Sequence, residues 1–363
     1  MDNQNKLGSQ KIQEILERIK QTFAKCYPEY YARAMSATDE EFDEVYKNIV
    51  SEVRAKSLAK IQASDMPEEL KMSFVPMLGK TQKDDDVHYA DSFIMVGQST
   101  CDLLVNSRGD EIAVNIMELL ESQQQLQQKL SNPDSLSGEE IVEIVSKCLS
   151  VIGSGIAATT SIALGIMSIT VAAATTPAGI IGIIAGVVAI LDVLICQVVL
   201  PLIKWFVKEA VCFMLLVNKT NKNIKMVEGC DAHGHSESMT REISKIEVES
   251  NDAKNHVYSV GMYFTKKNKG ALYGTKYGMQ FNLIEDNTKF AVGVECPLNG
   301  PNKCYVAFNQ TARQAADGTQ KKKSQYASAS NDCYVIEQRC DTKESEIAFF
   351  ITTITEYDYP QLT

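Results

Sequence analysis

A long stretch without any charged residue constrains this chain more than its other features. Residues 148–191 contain no Asp, Glu, Lys or Arg, and apolar residues continue beyond Asp192 to Ile203. Midway, residues 175–179 read Thr-Thr-Pro-Ala-Gly. Residues that precede a proline disfavour helix, and glycine permits a tight turn, so the chain is predicted to reverse direction here. The stretch is therefore predicted to form a hydrophobic helical hairpin at 149–203.

Each arm of the predicted hairpin is long enough to cross a bilayer. The arms, 149–174 and 178–203, each span about 26 residues, or about 39 Å as helix, against a bilayer core of about 30 Å. The predicted membrane-inserting residues are the large apolar side chains of both arms and the proline at the turn: Ile152, Ile156, Ile162, Leu164, Ile166, Ile169, Val171, Pro177, Ile180, Ile181, Ile183, Ile184, Val187, Val188, Ile190 and Leu191.

Small residues in the second arm are expected to let the two arms pack closely. Gly182 and Gly186 continue a four-residue spacing that begins at Ala178. Small residues at this spacing allow two helix backbones to approach each other without a water-driven force. We therefore predict Gly182 and Gly186 to be helix-packing residues of the hairpin.

Polar residues lie towards the end of the second arm. Asp192 is the only charged residue within it, and a carboxylate at that depth is expected to face a neighbouring helix or a wet lumen. The alternative is an Asp near the end of a buried helix in a soluble protein. Lys204, Trp205, Phe206 and Lys208 combine cations with the only tryptophan, as an interface anchor at the lipid headgroups does, although an ordinary amphipathic surface has the same composition.

The region before the hairpin carries the whole net charge of −10. Residues 1–147 contain 16 Lys and Arg against 26 Asp and Glu, whereas residues 148–363 contain 20 of each. An acidic region of this kind repels phosphate backbones, so nucleic acid is not an expected partner.

Helical periodicity dominates the same region. Apolar residues recur at steps of three and four from Ile12 to Phe23 and again from Phe42 to Val53. Helix starts are predicted where Thr38 is followed by Glu41 and where Ser137 is followed by Glu140, because side chains at this spacing satisfy each other's backbone donors. We predict an elongated helical bundle over 1–250, containing the hairpin and ending in an amphipathic helix near 239–248.

Strand patterns begin at His256. Six β-branched or aromatic-rich runs follow, at 257–264, 279–284, 289–294, 304–308, 333–336 and 347–355, separated by turn dipeptides. Runs at this spacing favour a β-sandwich over 256–363. The predicted fold class is α+β multidomain, with an elongated α-helical bundle followed by a C-terminal β-sandwich.

The predicted sandwich is rich in tyrosine with lysine nearby. Tyrosine rings pack on sugar faces or lipid headgroups while cations pair with phosphate, so the domain is expected to bind membrane lipid or glycan. The alternative is ordinary strand tyrosines and solvated loops. The candidate lipid-binding or glycan-binding residues are Tyr258, Tyr263, Tyr273, Tyr277, Lys266 and Lys267.

Patterns for enzymatic or metal chemistry are weak. Cys230, His233 and His235 lie close in sequence, but a fourth metal ligand is not nearby and glycines favour a loop. We expect no enzymatic activity, no metal site and no cofactor. The polar N-terminus does not match a secretory signal, which favours synthesis as a soluble protein in a reducing compartment. The pairing of the C-terminal cysteines is left open.

The order of these regions resembles that of α-helical pore-forming toxins. The hairpin, with the flanking helices from Ile12 to Leu130, is similar to the arrangement in the haemolysin E family and in the haemolysin and enterotoxin components of Bacillus. Helices followed by a β domain resemble the insecticidal crystal toxins and the jellyfish toxins. The resemblance implies a cytolysin that acts at a target-cell membrane, changing from a soluble form to an inserted homo-oligomer, with a lipid or glycan receptor.

Two other functions fit the same sequence. One is a constitutive membrane hairpin protein or a secretion translocator. The other is a structural helical protein whose apolar segment never meets lipid.

Overall fold

Helices occupy the N-terminal part of the chain and strands the C-terminal part, as predicted. In a computed structural model of the protein, the described residues are 2–66, 68–78, 82–84, 87–90, 92–131, 152–154, 177–205, 210–243, 245, 247–248, 256–267, 273–322, 324–341 and 347–357. The helices are α1 (Asp2–Cys26), α2 (Pro28–Ser36), α3 (Phe42–Ala63), α4 (Glu68–Met77), α5 (Gln98–Asn106), α6 (Asp110–Leu130), α7 (Pro177–Trp205) and α8 (Ala312–Lys322).

The strands form two sheets. They are β1 (Gln82–Asp84), β2 (Val87–Ala90), β3 (Ser92–Gly97), β4 (Ile152–Ser154), β5 (Val211–Lys219), β6 (Ile224–Asp231), β7 (His235–Thr240), β8 (Glu242–Ile243), β9 (Glu247–Val248), β10 (His256–Lys266), β11 (Thr275–Leu283), β12 (Thr288–Cys296), β13 (Lys303–Phe308), β14 (Tyr326–Ser330), β15 (Tyr334–Cys340) and β16 (Ile347–Glu356). Sheet A has the order β1-β2-β7-β10-β5-β16-β15-β14, with β3, β4 and β9 at its side, and sheet B has the order β13-β12-β11-β6-β8.

Helix α7 lies at the centre of a helical layer. It packs against α1, α2, α3, α4 and α6. Their apolar faces, represented by Ile19, Ile49 and Ile116, share one buried cluster with Leu191 and Leu194 of α7. The amphipathic helices therefore bury their apolar stripes against a helix that is apolar on every side.

Strand β5 connects the helical layer to the second sheet. Successive side chains of a strand point to opposite faces. Phe213 and Leu215 face the helical cluster, whereas Cys212 and Met214 belong to a second buried cluster shared by the two sheets. Both faces of β5 are covered, which accounts for its continuous apolar sequence.

Several sequence predictions hold at the level of single elements. Helix α3 begins after a reciprocal cap in which the Thr38 N–H donates to Glu41 Oε2 at 3.0 Å and the Glu41 N–H donates to Thr38 Oγ1 at 3.3 Å. Each of the six predicted strand runs overlaps one strand from β10 to β16. The second cap, Ser137 with Glu140, lies outside the described residues.

Three local predictions are wrong. Strands β1 to β3 interrupt the region predicted to be helical before the hairpin, and β4 pairs with β3 where the first arm was predicted to be helical. Ile152 is β-branched and Gly153 is a poor helix former, so pairing with β3 is favoured there. The rest of the first arm lies outside the described residues.

The helix predicted near 239–248 is also absent, because strands β7, β8 and β9 occupy this segment. Met239 pairs with Tyr263 of β10 and Ile243 with Ile224 of β6, and both side chains lie in the cluster between the sheets. The first strand after α7 begins at Val211, so strands β5 to β9 lie within the residues predicted to be helical bundle.

Helix α8 packs against sheet B through glycines that the sequence analysis did not single out. A Cβ on Gly278 of β11 would lie 1.8 Å from the Ala312 carbonyl oxygen of α8. Only a residue without a side chain allows this distance between helix and sheet, since the atom met is backbone rather than a flexible side chain.

Replacing this glycine should destabilise the sheet–helix contact. We expect Gly278→Ala to lower the free energy of unfolding by about 1–3 kcal/mol, the usual cost of overpacking, measured by urea unfolding followed by far-UV circular dichroism. Gly97→Ala is the control, because nothing lies within 4 Å of the added Cβ. A midpoint for Gly278→Ala equal to that of the control would contradict the close packing.

Candidate functional site

Helix α7 contains a segment with the length and composition of a membrane span. Among the described residues, Ile184–Trp205 is the one helical segment that is long and apolar enough to cross a bilayer, with 22 residues. In the folded chain, 94% of its apolar window is buried. A core helix of a soluble protein has the same properties, so the contacts of α7 decide what it can do.

The only charged side chain in the middle of α7 has three partners, one at the α1–α2 junction, one in α3 and one in α6. The hydroxyl of Tyr27 donates to Asp192 Oδ1 at 2.6 Å, and Gln127 Nε2 donates to the same oxygen at 2.9 Å. Lys60 Nζ lies 3.5 Å from Asp192 Oδ2. The carboxylate faces neighbouring helices, as predicted, and its partners offset the cost of burying it.

A cavity of about 340 Å³ lies beside this carboxylate. Tyr27, Lys56, Lys60, Gln127 and Asp192 are among its lining residues. Burial, followed by the negative charge of Asp192, raises the pKa of Tyr27. The phenol therefore keeps its proton and remains a hydrogen-bond donor to the carboxylate. The centre of α7 is thus held by a polar cluster, defined as Tyr27, Lys60, Gln127 and Asp192.

Two further hydrogen bonds join α3 to the backbone of α7. The Tyr46 hydroxyl donates to the Gln197 carbonyl at 2.9 Å, and Ser57 Oγ donates to the Ala189 carbonyl at 3.1 Å. The residue four positions after Gln197 is Pro201, which has no N–H, so the Tyr46 hydroxyl supplies a donor that the helix itself lacks there. Both hydrogen bonds orient α3 relative to α7. Apolar contact alone is not directional.

The C-terminal end of α7 is fixed by cations and aromatic rings. Lys204 Nζ donates to the Ala37 carbonyl at 2.6 Å, at the end of α2. The Trp205 ring meets Phe42 edge-on at 5.1 Å between centroids, and Lys266 Nζ of β10 lies 3.9 Å from the Trp205 ring centroid. Lys266 also pairs with Asp43 of α3 at 2.8 Å. We call Asp43, Trp205 and Lys266 the α7 latch.

Lys204 and Trp205, which were predicted to belong to an interface anchor, contact other residues of the folded chain. Trp205 is buried and Lys204 is bonded to the end of α2, because the α2–α3 corner offers carbonyls and aromatic rings that match both side chains. In this structure neither residue is presented to a lipid surface. Phe206 and Lys208 lie outside the described residues.

The two glycines predicted to pack between the hairpin arms face a different neighbour. A Cβ on Gly182 would lie 3.1 Å from Met66 Cβ, and a Cβ on Gly186 would lie 2.7 Å from Phe74 Cδ2. Gly186 lets α7 approach α4, and Gly182 lets it approach Met66, two residues before α4. Close helix packing at these glycines was predicted, but α4 was not predicted as the partner. The spacing of small residues indicates a close approach and not the element that makes it.

The structure describes part of the predicted membrane-inserting set. Ile184, Val187, Ile190 and Leu191 are buried in the helical core and Val188 is half-buried. Pro177, Ile180, Ile181 and Ile183 lie in α7, and Ile152 lies in β4. The others lie outside the described residues: Ile156, Ile162, Leu164, Ile166, Ile169 and Val171.

Most of the predicted lipid-binding or glycan-binding residues are not on the surface. Tyr258, Tyr263 and Tyr277 are buried, at 5%, 1% and 1% exposure, because strand tyrosines here fill the two cores. Lys266 is buried in the α7 latch, and Lys267 is half-buried. Tyr273 is the exception, at 66% exposure, with its ring stacked on His233 at 5.2 Å.

Within the described part of the chain, no group of three His, Cys, Asp or Glu side chains could hold a metal ion.

The residues that sequence reasoning missed are the partners of Asp192. Tyr27 and Gln127 are 165 and 65 residues from it along the chain. A lone charge in an apolar helix requires partners, but nothing local identifies them.

Comparison with known proteins assigns no family to this chain. No protein-family model matches it, and no curated protein matches it. Solved structures match this chain only weakly, as three of them illustrate. The lipid binding protein Nakanori is 13% identical over 40% of this chain and 71% of its own, with a TM-score of 0.31. The Xerocomus chrysenteron lectin XCL is 12% identical over 40% and 99%, with a TM-score of 0.27. The protein RahU, solved with a TRIS molecule, is 11% identical over 41% and 96%, with a TM-score of 0.24. Such scores assign neither a fold family nor a function.

The polar cluster should contribute measurably to stability. We expect Tyr27→Phe to lower the free energy of unfolding by about 1.5 kcal/mol, because a hydrogen bond to a buried carboxylate is lost, measured by urea unfolding. Tyr31→Phe, at a half-buried tyrosine in the same helix pair, should change it by less than about 0.5 kcal/mol. A double-mutant cycle with Asp192→Asn should give a coupling of about 1 kcal/mol, and additive effects would contradict the contact.

Proposed function

We propose that this chain is a pore-forming cytolysin that stores an apolar helix in its soluble form and inserts it into a target-cell membrane. The observation that carries the proposal is α7, a helix that is apolar on all sides and long enough to cross a bilayer. Shorter helices that are apolar on one stripe suffice to build a helical core, as α1, α3 and α6 do here.

The surrounding helices supply α7 with a temporary apolar environment. A membrane offers an alternative environment to the same side chains, so α7 distributes between the two according to its differential affinity. The acidic charge of residues 1–147 keeps the stored form soluble. Release requires α7 to leave the polar cluster and the α7 latch. Helix α7 then inserts as one arm of the hairpin predicted at 149–203.

The two sheets are proposed to direct the protein to its membrane. We propose that sheets A and B form a β-sandwich that binds lipid or glycan, with exposed Tyr273 stacked on His233 as its most accessible aromatic contact. Several copies then assemble so that amphipathic helices line the pore. The tyrosines buried in the cores play no direct part in this binding.

A second function is favoured by one observation. The apolar window of α7 is 94% buried, as it would be in a structural protein whose core helix never meets lipid.

A constitutive membrane protein or a secretion translocator instead requires detergent for extraction, whereas a cytolysin purifies from aqueous buffer.

A disulfide that tethers α7 tests the proposal. The added Cβ of Gly182 lies 3.1 Å from Met66 Cβ, close to the roughly 3.5–4.5 Å found in disulfides. Wild-type protein should release dye from liposomes of phosphatidylcholine and phosphatidylserine. Met66→Cys/Gly182→Cys should release none when oxidised and should recover on reduction with dithiothreitol. Release by wild type that is unaffected by the tether would exclude α7 as the inserting element.

The matched control is a disulfide that leaves α7 untouched. Asn282 and Lys289 are paired across β11 and β12, so Asn282→Cys/Lys289→Cys cross-links sheet B alone. This variant should release dye at the wild-type rate in both redox states. If no protein releases dye from any liposome or lyses any cell, the structural alternative is supported.

The only tryptophan provides an independent reading of insertion, because Trp205 ends α7. Liposomes containing brominated lipid should quench its fluorescence in the wild type and not in the oxidised tether. Leakage without quenching would mean that another segment enters the bilayer.

Weakening the α7 latch should speed release. Lys266→Met removes the cation that contacts Trp205 and Asp43, and we expect roughly tenfold faster dye release, corresponding to about 1.4 kcal/mol less holding energy. Lys289→Met, at an exposed strand lysine, is the control and should leave the rate unchanged. Slower or unchanged release by Lys266→Met would contradict the role of the latch.

A further inference from the structure

Two buried thiols, one from each sheet, lie beside the residues that precede β14. Cys304 lies in β13 of sheet B and is 0% exposed, and Cys340 ends β15 of sheet A and is 3% exposed. Cys304 Sγ donates to the Gln325 carbonyl oxygen at 3.4 Å, and Cys340 Sγ donates to the same oxygen at 3.7 Å. The two thiols therefore share one acceptor atom.

The backbone holds both residues in place. The Cys304 N–H donates to the Ser324 carbonyl at 2.7 Å, and the Cys340 N–H donates to the Gln325 carbonyl at 3.1 Å. Ser324 and Gln325 are consecutive and directly precede β14. Each therefore holds one of the two cysteines by a backbone hydrogen bond. Two thiols held against one oxygen atom are neighbours, and we expect side-chain rotation to bring their sulfurs together.

We propose that Cys304 and Cys340 close a disulfide bond that links sheet A to sheet B when the protein meets an oxidising environment. Both residues are thiols in the present structure. The bond joins positions 36 residues apart in sequence. Such a closed loop restricts the unfolded chain, which stabilises the folded one.

Two other buried cysteines are the competing partners. Cys212 of β5 and Cys296 of β12 lie in the same cluster between the sheets. Cys304 and Cys340 are the two of these four whose thiols donate to one shared acceptor, the Gln325 carbonyl oxygen. This shared position selects them as the pair.

The environment determines when the bond forms. Burial, and then the neighbouring Cys340, raises the pKa of the Cys304 thiol, so the folded protein holds little of the nucleophilic thiolate. Closure then takes place during folding or during a local opening of the sheets, with a small disulfide such as oxidised glutathione as the oxidant.

The reaction balances as two thiol–disulfide exchanges. One cysteine thiolate attacks a sulfur of oxidised glutathione, and a glutathione thiolate leaves. The second cysteine thiolate attacks the cysteine sulfur of the mixed disulfide, and the second glutathione thiolate leaves. The two cysteines lose two electrons and two protons, and the glutathione disulfide is reduced to two thiols.

Oxidative refolding of the full chain tests the proposal. Protein unfolded in urea is refolded with reduced glutathione alone or with the reduced and oxidised forms together, alkylated, and mapped by mass spectrometry. We expect a Cys304–Cys340 cross-linked peptide in the second sample only, with a melting temperature higher by roughly 5 °C or more. Alkylation of both thiols in both samples, or linkage of either to Cys212 or Cys296, would overturn it.

Two serine variants complete the test. Cys304→Ser keeps a donor for the Gln325 carbonyl and should lose the melting-temperature rise. Cys333→Ser, at an exposed cysteine, should keep it. If Cys304→Ser fails to fold, the peptide map of the wild type decides alone, because it requires no variant.

Discussion

The rest of this structure depends on the burial of α7. A helix that is apolar on every side must be covered on every side, and this chain covers it with five helices and sets the layer against a sheet. The same requirement makes β5 apolar throughout, since one of its faces completes the helical core and the other begins the core between the sheets. One buried helix therefore determines the order of the layers.

The polar contacts of α7 supply what apolar burial lacks, which is direction. Hydrophobic contact stabilises many registers of one helix against another, whereas a buried carboxylate is stable only where its partners are. Tyr27, Gln127 and Lys60 come from three different parts of the helical layer and converge on Asp192. The α7 latch does the same at the end of the helix, and it ties the helical layer to β10 of the sheet through Lys266.

Sequence patterns predict local structure here and fail where structure depends on distant partners. The helical periodicity, the Thr38–Glu41 cap, the second apolar arm and the six C-terminal strands all follow from neighbours along the chain. Residues 239–248 were predicted as an amphipathic helix, whereas sheet pairing makes them the end of β7 with β8 and β9 and places Met239 and Ile243 between the two sheets. Tyr258, Tyr263 and Tyr277, which were expected to contact lipid or glycan, are buried for a related reason, since a tyrosine in a strand covered on both faces is a core residue.

Asp192 is the residue at which the two functions make different demands. In the folded chain its three partners offset its burial, so removing α7 from the bundle separates the carboxylate from donors at the α1–α2 junction, in α3 and in α6. A structural helix gains from these bonds the direction that apolar contact lacks. An inserting helix has a further requirement, because a carboxylate that faces lipid is costly, so inside a pore Asp192 would have to face water or a neighbouring protomer. Under the proposed function, the position of this one charge therefore sets which face of α7 turns away from the lipid.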